Sequence, residues 1–311
     1  MSFFKEKKPE QAKANQKPRS LETMEATVRP GGVFMIQLLM KEPCKMPSDD
    51  QIMDVLSRHI GHVEKAPPTD GTLNQAKQSA LFTATEHIAH FKNGQGSVQV
   101  AILPCDTFHP ETIDEVRRSQ MWNCRKDRDR ILTECGYCIL AHDLLGGAME
   151  PYERADFLMD YLEALVELFP TCEAVYSLNS GKLILADTIR SHTAEGLERY
   201  IHHIVNVRIF NIEGTQDKVV DTLGLSLLYI EDLQYHYHDM DPNWVVAHAY
   251  NMARYILTNH CPIKDGDTID GIEDGRFEQS IQWKCHFEDA LVQPDRAVLD
   301  VCMGEYASGQ R

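Results

Sequence analysis

Residues 33–61 read VFMIQLLMKEPCKMPSDDQIMDVLSRHIG, and this stretch decides the class of fold. The run Val33–Met40 is almost entirely apolar, which predicts a strand buried on both faces. Ser48 and Gln51 have the spacing of a capping box, in which each side chain bonds the backbone of the other residue. Apolar residues then recur at helical spacing as far as Gly61, which predicts a helix that ends there. The first structural unit is therefore a strand followed by a helix.

Two hairpins and one long helix are predicted further along this half of the chain. The glycine-rich turn Asn93–Gly96 lies inside an extended region at 81–103, which is typical of a hairpin. Between Pro151 and Pro170 the apolar residues follow one stripe at the helical period. A second hairpin is predicted at 174–185, and it follows this helix directly.

The remaining third of the chain alternates between strands and helices again. Asp241 and Pro242 mark a helix start, with the aspartate as cap and the proline in the first turn. His248 lies on the buried stripe of this helix, so we expect a core histidine with its hydrogen bonds satisfied. The predicted strands are 205–212, 223–230, 281–287 and 297–303, with a connecting helix at 190–204.

Hairpins mixed with crossovers predict an α+β fold of mostly antiparallel sheets with helices packed on one face. The order strand, helix, hairpin occurs near the start of the chain and again over 137–185, which suggests related small modules. The chain as a whole is predicted to contain two related α+β modules, an N-terminal one at 31–190 and a C-terminal one at 191–311. Residues 1–30 are predicted to be a flexible tail, because their apolar content is too low to pack.

Charge is distributed unevenly between this tail and the rest of the chain. Met1–Ser20 contains six basic and two acidic residues, whereas the whole chain has 31 basic and 47 acidic residues and a net charge of −16. A solvated terminus explains the tail, and a weak docking arm for an acidic surface is the functional alternative. The folded part lacks a run of basic residues, which argues against nucleic acid and anionic membranes as partners.

Hydropathy and cysteine usage indicate the compartment. The longest apolar run is far shorter than the roughly 20 residues that span a bilayer, so no membrane segment is predicted. The nine cysteines are irregularly spaced and no signal peptide is visible, which favours the reducing cytoplasm.

Cys135 and Cys138 form the one CxxC motif of the chain. Such a pair exchanges disulfides when it opens a helix, because the helix lowers the pKa of one thiol. Here the next residues continue as a strand, in which positions three apart point to opposite faces. We therefore favour two buried thiols, and a redox pair is the alternative.

A possible metal site is the second chemical candidate. His236 and His238 would share one face of an extended chain, and Asp239 or Asp241 could add an oxygen ligand. An exposed polar loop before the helix explains the same residues. If these residues form an exposed polar loop, no cofactor is expected. If they form a metal site, a divalent metal ion is expected.

The last hundred residues resemble a known family. The resemblance is best over about 205–303 and fainter over 33–185, and it implies a soluble α+β protein without assigned catalytic residues. It is carried by Val207-Arg208-Ile209-Phe210, Asp221-Thr222-Leu223-Gly224-Leu225, Leu233-Gln234, Ala249–Ile256, Asp265–Ile269 and Pro294–Leu299. These motifs resemble the uncharacterised, mostly bacterial "domain of unknown function 4261" family.

The leading hypothesis is a non-enzymatic binding or protein-interaction module in the cytoplasm. An acidic surface suits a basic protein partner. The alternative is a metal-dependent enzyme that uses His236, His238 and Asp239 or Asp241.

Overall fold

The computed structural model describes residues 32–66 and 79–309, which divide into two compact units. The N-terminal unit ends at Asn206 and the C-terminal unit begins at Val207. The predicted tail at 1–30 lies outside the described residues.

The N-terminal unit is built on one large sheet. Its strands, as far as the chain is described, are β1 (Met35–Met40), β2 (Val63–Lys65), β3 (Ala80–Phe91), β4 (Gly94–Ile102), β5 (Asp106–Thr107), β6 (Tyr137–Leu144), β7 (Ala174–Ser177) and β8 (Leu183–Leu185). They pair in the order β2-β3-β4-β6-β1-β7-β8, with β5 added beside β6. The helices are α1 (Asp49–Ile60), α2 (Glu115–Ser119), α3 (Arg128–Glu134), α4 (Pro151–Leu168), α5 (Ala186–Arg190) and α6 (Leu197–His203).

The opening strand and helix form as their sequence predicts. β1 lies between β6 and β7, antiparallel to both, so it is buried in the middle of the sheet. At the start of α1 the Gln51 N–H donates to Ser48 Oγ at 3.3 Å, and the Ser48 N–H donates to Gln51 Oε1 at 3.0 Å. This reciprocal bonding satisfies two N–H groups that the first helical turn would leave unpaired.

The N-terminal unit extends past Arg190 to Asn206. The helix α6 belongs to the N-terminal unit, because Arg199 binds carboxylates of α4. Its Nη1 lies 2.7 Å from Asp160 and 3.1 Å from Glu163. Lys182 Nζ also donates to the carbonyl of Val205 at 2.7 Å, which ties the end of this segment to the hairpin β7–β8.

The C-terminal unit contains a second sheet with one long helix. Its elements in the described residues are β9 (Asn206–Asn211), β10 (Lys218–Leu223), β11 (Asp232–Tyr237), α7 (Pro242–Thr258), β12 (Thr268–Glu273), β13 (Arg276–Asp289) and β14 (Ala297–Cys302). The order is β12-β13-β14-β11-β10-β9, and β11 runs parallel to β14. Both sheets are mostly antiparallel, which confirms the predicted α+β class.

The strand predicted at 223–230 is wrong. Leu225–Leu228 forms a short 3-10 turn between β10 and β11. The backbone leaves the extended region at Gly224, where φ is 126°, and at Tyr229, where φ is 58°. Asp232 holds the turn by accepting a hydrogen bond from the Leu225 N–H at 3.1 Å. Leu225, Leu227 and Leu228 are buried in this turn. A short apolar run indicates burial, but it does not by itself specify an extended chain.

Part of the chain has the same topology in both sheets. β1 and β11 each lead into a helix, and three antiparallel strands then follow from the sheet edge inwards, β2–β4 in one sheet and β12–β14 in the other. The third of these strands, β14, pairs in parallel with β11 in the C-terminal unit. In the N-terminal unit β4 and β1 are also parallel, but β6 lies between them and pairs antiparallel with both.

Gly271 offers a test of packing at the bulge of β12. An added Cβ would lie 2.4 Å from Ile281 Cγ2 and 2.8 Å from Trp283 Cε2, and Trp283 is buried. We expect Gly271→Ala to lower the free energy of unfolding by about 1–3 kcal/mol, because overpacking displaces both side chains. Urea unfolding measures this change, with Gly96→Ala as control, since a Cβ added at Gly96 on β4 would meet no heavy atom within 4 Å. Equal stability of the two variants would contradict the expectation.

None of the helices in the described residues combines the length and the apolar character that crossing a bilayer requires.

Candidate functional site

The histidines and aspartates of the predicted metal site are not brought together. His238 Nδ1 bonds Ser308 Oγ at 3.1 Å, whereas His236 Nε2 lies 3.7 Å from Asp217 Oδ2. Asp241 is engaged as the cap of α7, where its Oδ1 accepts the Asn243 N–H at 2.8 Å. Asp239 is exposed. Over 32–66 and 79–309, no three His, Cys, Asp or Glu side chains converge as metal ligands would.

The same segment also differs from the exposed polar loop that was the alternative. Residues 232–237 form β11, and Tyr235 and Tyr237 are fully buried. The C-terminal segment covers this strand, because the Ser308 N–H donates to the His236 carbonyl at 2.9 Å. His236 therefore lies within β11 and His238 directly after it, and the backbone of each bonds the C-terminal segment.

Cys135 and Cys138 are both buried thiols. Cys135 follows the last residue of α3, and Cys138 lies in β6. Burial raises the pKa of each to about 11, which disfavours the nucleophilic thiolate. Burial, together with the neighbouring thiol of Cys105, raises the pKa of Cys44 to about 12.

A buried network of ion pairs lies in the C-terminal unit. Asp221 accepts bonds from Arg208 Nε at 2.9 Å and from Arg296 Nη2 at 2.7 Å. Arg296 Nε also lies 3.2 Å from Asp232 Oδ2, and Asp232 Oδ1 accepts the Thr222 hydroxyl at 3.1 Å. Burial raises the pKa of Asp232, and Arg296 opposes that shift.

This network joins the strands to the loop before β14. Arg208 Nη1 donates to the Gln293 carbonyl at 2.9 Å, and Arg296 Nη1 donates to the Pro294 carbonyl at 3.0 Å. Its carboxylates are fully buried and bond the surrounding protein. The arrangement therefore holds the fold, and the motif segments around Asp221 and Arg296 that carry the family resemblance meet in it.

His248 forms the centre of the helix–sheet contact and is a satisfied core histidine. Its Nε2 lies 2.9 Å from the carbonyl of Asp270, so the proton is on Nε2 and donates there. Its Nδ1 then accepts the hydroxyl of Tyr235 at 2.9 Å. The ring also contacts Phe277 at 4.9 Å and Trp283 at 5.1 Å between centroids. Burial lowers the pKa of His248 to about 4, so the ring is neutral at pH 7.

A groove of about 580 Å³ lies beside this histidine, between α7 and the strands β12 and β13. Two of its aromatic side chains remain half exposed, Tyr255 at 45% and Phe277 at 47%. Exposed aromatic rings that line one groove are a common feature of binding surfaces. The apolar lining consists of Met252, Tyr255, Pro262, Ile263, Ile269 and Phe277. We call this feature the α7–hairpin groove.

Carboxylates supply the polar side of the groove. Asp267 and Asp270 line it together with Asn251. Asp267 Oδ2 accepts the Lys264 N–H at 2.8 Å, which fixes the carboxylate in the turn before β12. The surrounding segment, 265–278, contains six acidic residues and one basic residue.

Trp244 is a third aromatic residue on the same side of α7 as Tyr255. Trp244, His248, Asn251 and Tyr255 recur at i, i+4, i+7 and i+11, which places them on one line of α7. Gly275 at the hairpin turn lies directly against Trp244, since an added Cβ would be 2.8 Å from Nε1. The aromatic row thus continues from the groove to the tip of the hairpin.

Another cavity, of about 740 Å³, lies in the N-terminal unit, but its charges are matched internally. His59 Nε2 bonds Glu167 at 2.8 Å, and Arg199 binds Glu163 at 3.1 Å. The lining therefore carries both signs of charge, and these four side chains are paired with one another.

Lys182 is a buried amine with a structural role. Its Nζ donates to the carbonyls of Ile201 and Val205, at 3.3 and 2.7 Å, at the end of α6. Burial lowers the pKa of Lys182 to about 7. The side chain is 1% exposed, so it closes the helix end rather than facing a ligand.

The groove was not anticipated, although part of its signal is in the sequence. Trp244 and Tyr255 lie outside the predicted buried stripe of their helix, and large aromatic residues on a solvent face indicate a surface with a role. Asp267 and Asp270 carry no clear signal, because the sequence Asp265-Gly266-Asp267 is typical of a turn. Phe277 becomes part of the site only because β13 folds back against the helix.

The groove and most of the network lie inside a recognised domain. Residues 221–302 match the model of a family described as "Domain of unknown function (DUF4261)". The resemblance predicted from the motifs is thus confirmed over this stretch. No curated protein and no solved structure matches the chain.

Proposed function

We propose that this protein is a binding module, and that its family domain at 221–302 receives a basic segment of another protein in the α7–hairpin groove. The observation that carries the proposal is that half-exposed aromatic rings and carboxylates line the same groove. Tyr255 and Phe277 offer aromatic faces, and Asp267 and Asp270 offer negative charge in the same groove.

Lys and Arg side chains suit both kinds of group. A cation over an exposed aromatic face gains roughly 0.5–1 kcal/mol, and more when it is desolvated. A guanidinium or ammonium group can bond a carboxylate at the same time. The net charge of −16 would attract a cationic partner over a longer range. We therefore expect binding that weakens as salt is added.

The compartment is part of the proposal. Within the described residues none of the nine cysteines forms a disulfide, which supports action in the reducing cytoplasm.

Removing one ring should weaken binding of a cationic probe. We expect Phe277→Ala to reduce the affinity for hexalysine about 2- to 10-fold, because the cation–π contact is lost. Isothermal titration at low and physiological salt measures the change. Phe91→Ala is the matched control, since Phe91 on β3 is 46% exposed and Phe277 is 47% exposed.

Neutralising the carboxylates provides a second arm of this experiment. Asp267→Asn with Asp270→Asn should also weaken hexalysine binding, whereas Asp289→Asn on the exposed end of β13 should leave it unchanged. Binding that responds equally to the groove variants and to both controls would refute the groove as the site. Absence of any hexalysine binding at low salt would refute the proposal itself.

A further inference from the structure

The basic side chains of the N-terminal segment have the chemistry that the groove requires. Residues 5–19 contain all six basic residues of Met1–Ser20, in a chain that is otherwise strongly acidic. Two prolines lie directly beside these cations, in the sequences Lys8-Pro9 and Lys17-Pro18-Arg19.

We propose that segment 5–19 binds in the α7–hairpin groove of the same chain and thereby competes with an external partner. This inference rests on the proposed function, because it assigns an occupant to the same groove. It makes the N-terminal segment a built-in inhibitor of partner binding.

The fit follows from the residues on both sides. Proline residues fix φ and favour an extended backbone, and such segments pack on grooves lined by aromatic side chains. Tyr255 and Phe277 supply such rings, and Asp267 of the same groove lining can bind a neighbouring Lys or Arg. The charged residues of 265–278 beside the groove are mostly acidic, whereas those of 5–19 are mostly basic, so their charges are opposite.

Covalent connection strengthens a weak contact. A ligand tethered on the same chain has an effective concentration on the order of millimolar. A segment with millimolar intrinsic affinity would then occupy the groove for about half of the time. Competition of this size changes the measured affinity of an external ligand.

The test keeps the full chain and removes the charges of the segment. In the tail variant, six residues are replaced with Gln: Lys5, Lys7, Lys8, Lys13, Lys17 and Arg19. The matched control replaces six exposed basic residues of the N-terminal unit with Gln and has the same net charge: Lys45, Lys65, Lys92, Arg117, Arg125 and Lys126. Hexalysine is the probe, and isothermal titration at low salt is the measurement.

We expect the tail variant to bind hexalysine about 2- to 10-fold more tightly than the control variant, because its groove is free. A synthetic peptide of residues 1–20, added to the tail variant, should displace hexalysine. The same peptide should bind more weakly when Phe277→Ala is added. In the unmodified chain, a carbodiimide should join a tail lysine to Asp267 or Asp270 within one monomer.

The possible results separate the inference from the function on which it rests. Equal hexalysine affinity of the tail and control variants overturns the inference and leaves the proposed function standing. A cross-link found only in dimers also overturns it, because the occupant would then come from a second copy. Loss of hexalysine binding in every form of the protein overturns both.

Discussion

Replacing Arg296 with Met is expected to lower the free energy of unfolding by about 3–5 kcal/mol, because it leaves a buried carboxylate without its cation. Asp232 is fully buried, and Arg296 Nε is 3.2 Å from its Oδ2. The same guanidinium donates to Asp221 at 2.7 Å and to the Thr222 carbonyl at 2.9 Å. Methionine fills a similar volume but offers none of these donors. Urea unfolding followed by tryptophan fluorescence measures the loss.

Two further variants identify the cause of that loss. Arg117→Met removes an exposed guanidinium whose Nε lies 3.6 Å from Asp114, and we expect it to cost less than about 1 kcal/mol. Adding Asp232→Asn to Arg296→Met should recover part of the stability, because the unpaired charge is removed while the side chain can still bond Thr222. A similar cost for Arg296→Met and Arg117→Met would show that the network contributes little.

The second large effect is a dependence of stability on pH that originates at His248. Its pKa is about 4 in the folded protein against an ordinary value of 6.5, because burial penalises the charged ring. Between these values the unfolded chain binds the proton and the folded chain does not. Stability therefore falls as the pH drops from about 6.5 to about 4, by about 3 kcal/mol, and this contribution is constant outside that window.

Comparison of variants isolates this contribution from other titrating groups. His248→Gln keeps a donor and an acceptor but cannot be protonated, so its stability relative to the unmodified chain should improve as the pH is lowered from 6.5 to 4. His286→Gln is the control, because His286 lies on β13 of the same unit and is exposed. Urea unfolding at several pH values gives the slopes. Parallel slopes for His248→Gln and the unmodified chain would contradict the assignment.

Elements with strong local signals were predictable. The capping box at Ser48 and Gln51 forms as expected, since both partners are within one helical turn. The turn between β3 and β4 and the long helix α4 also follow from local residue types. The strand predicted at 223–230 failed because leucines were interpreted as extended chain. Their conformation depends on Asp232, which binds the turn from the next strand.

The candidate site was less predictable than the fold. The spacing of His236 and His238 suggested a metal site, but each histidine contacts a different neighbour. For the CxxC motif we favour two buried thiols over a redox pair, and both thiols are buried in the structure. In contrast, Phe277 carried no signal as a single residue. It belongs to the groove because β13 places it against His248.

The sequence alone determined the fold class, the resemblance to the uncharacterised family over 221–302 and the opposite charges of Met1–Ser20 and the whole chain, because residue types, caps and periodicity can be read from neighbouring residues. The tertiary structure decided which side chains meet. Arg208, Asp221 and Arg296 come from distant segments and pair only when β9, β10 and the loop before β14 assemble. The groove likewise forms only where α7 packs beside the β12–β13 hairpin. Contacts between residues far apart in the chain depend on the tertiary fold, and local sequence patterns do not encode those distances.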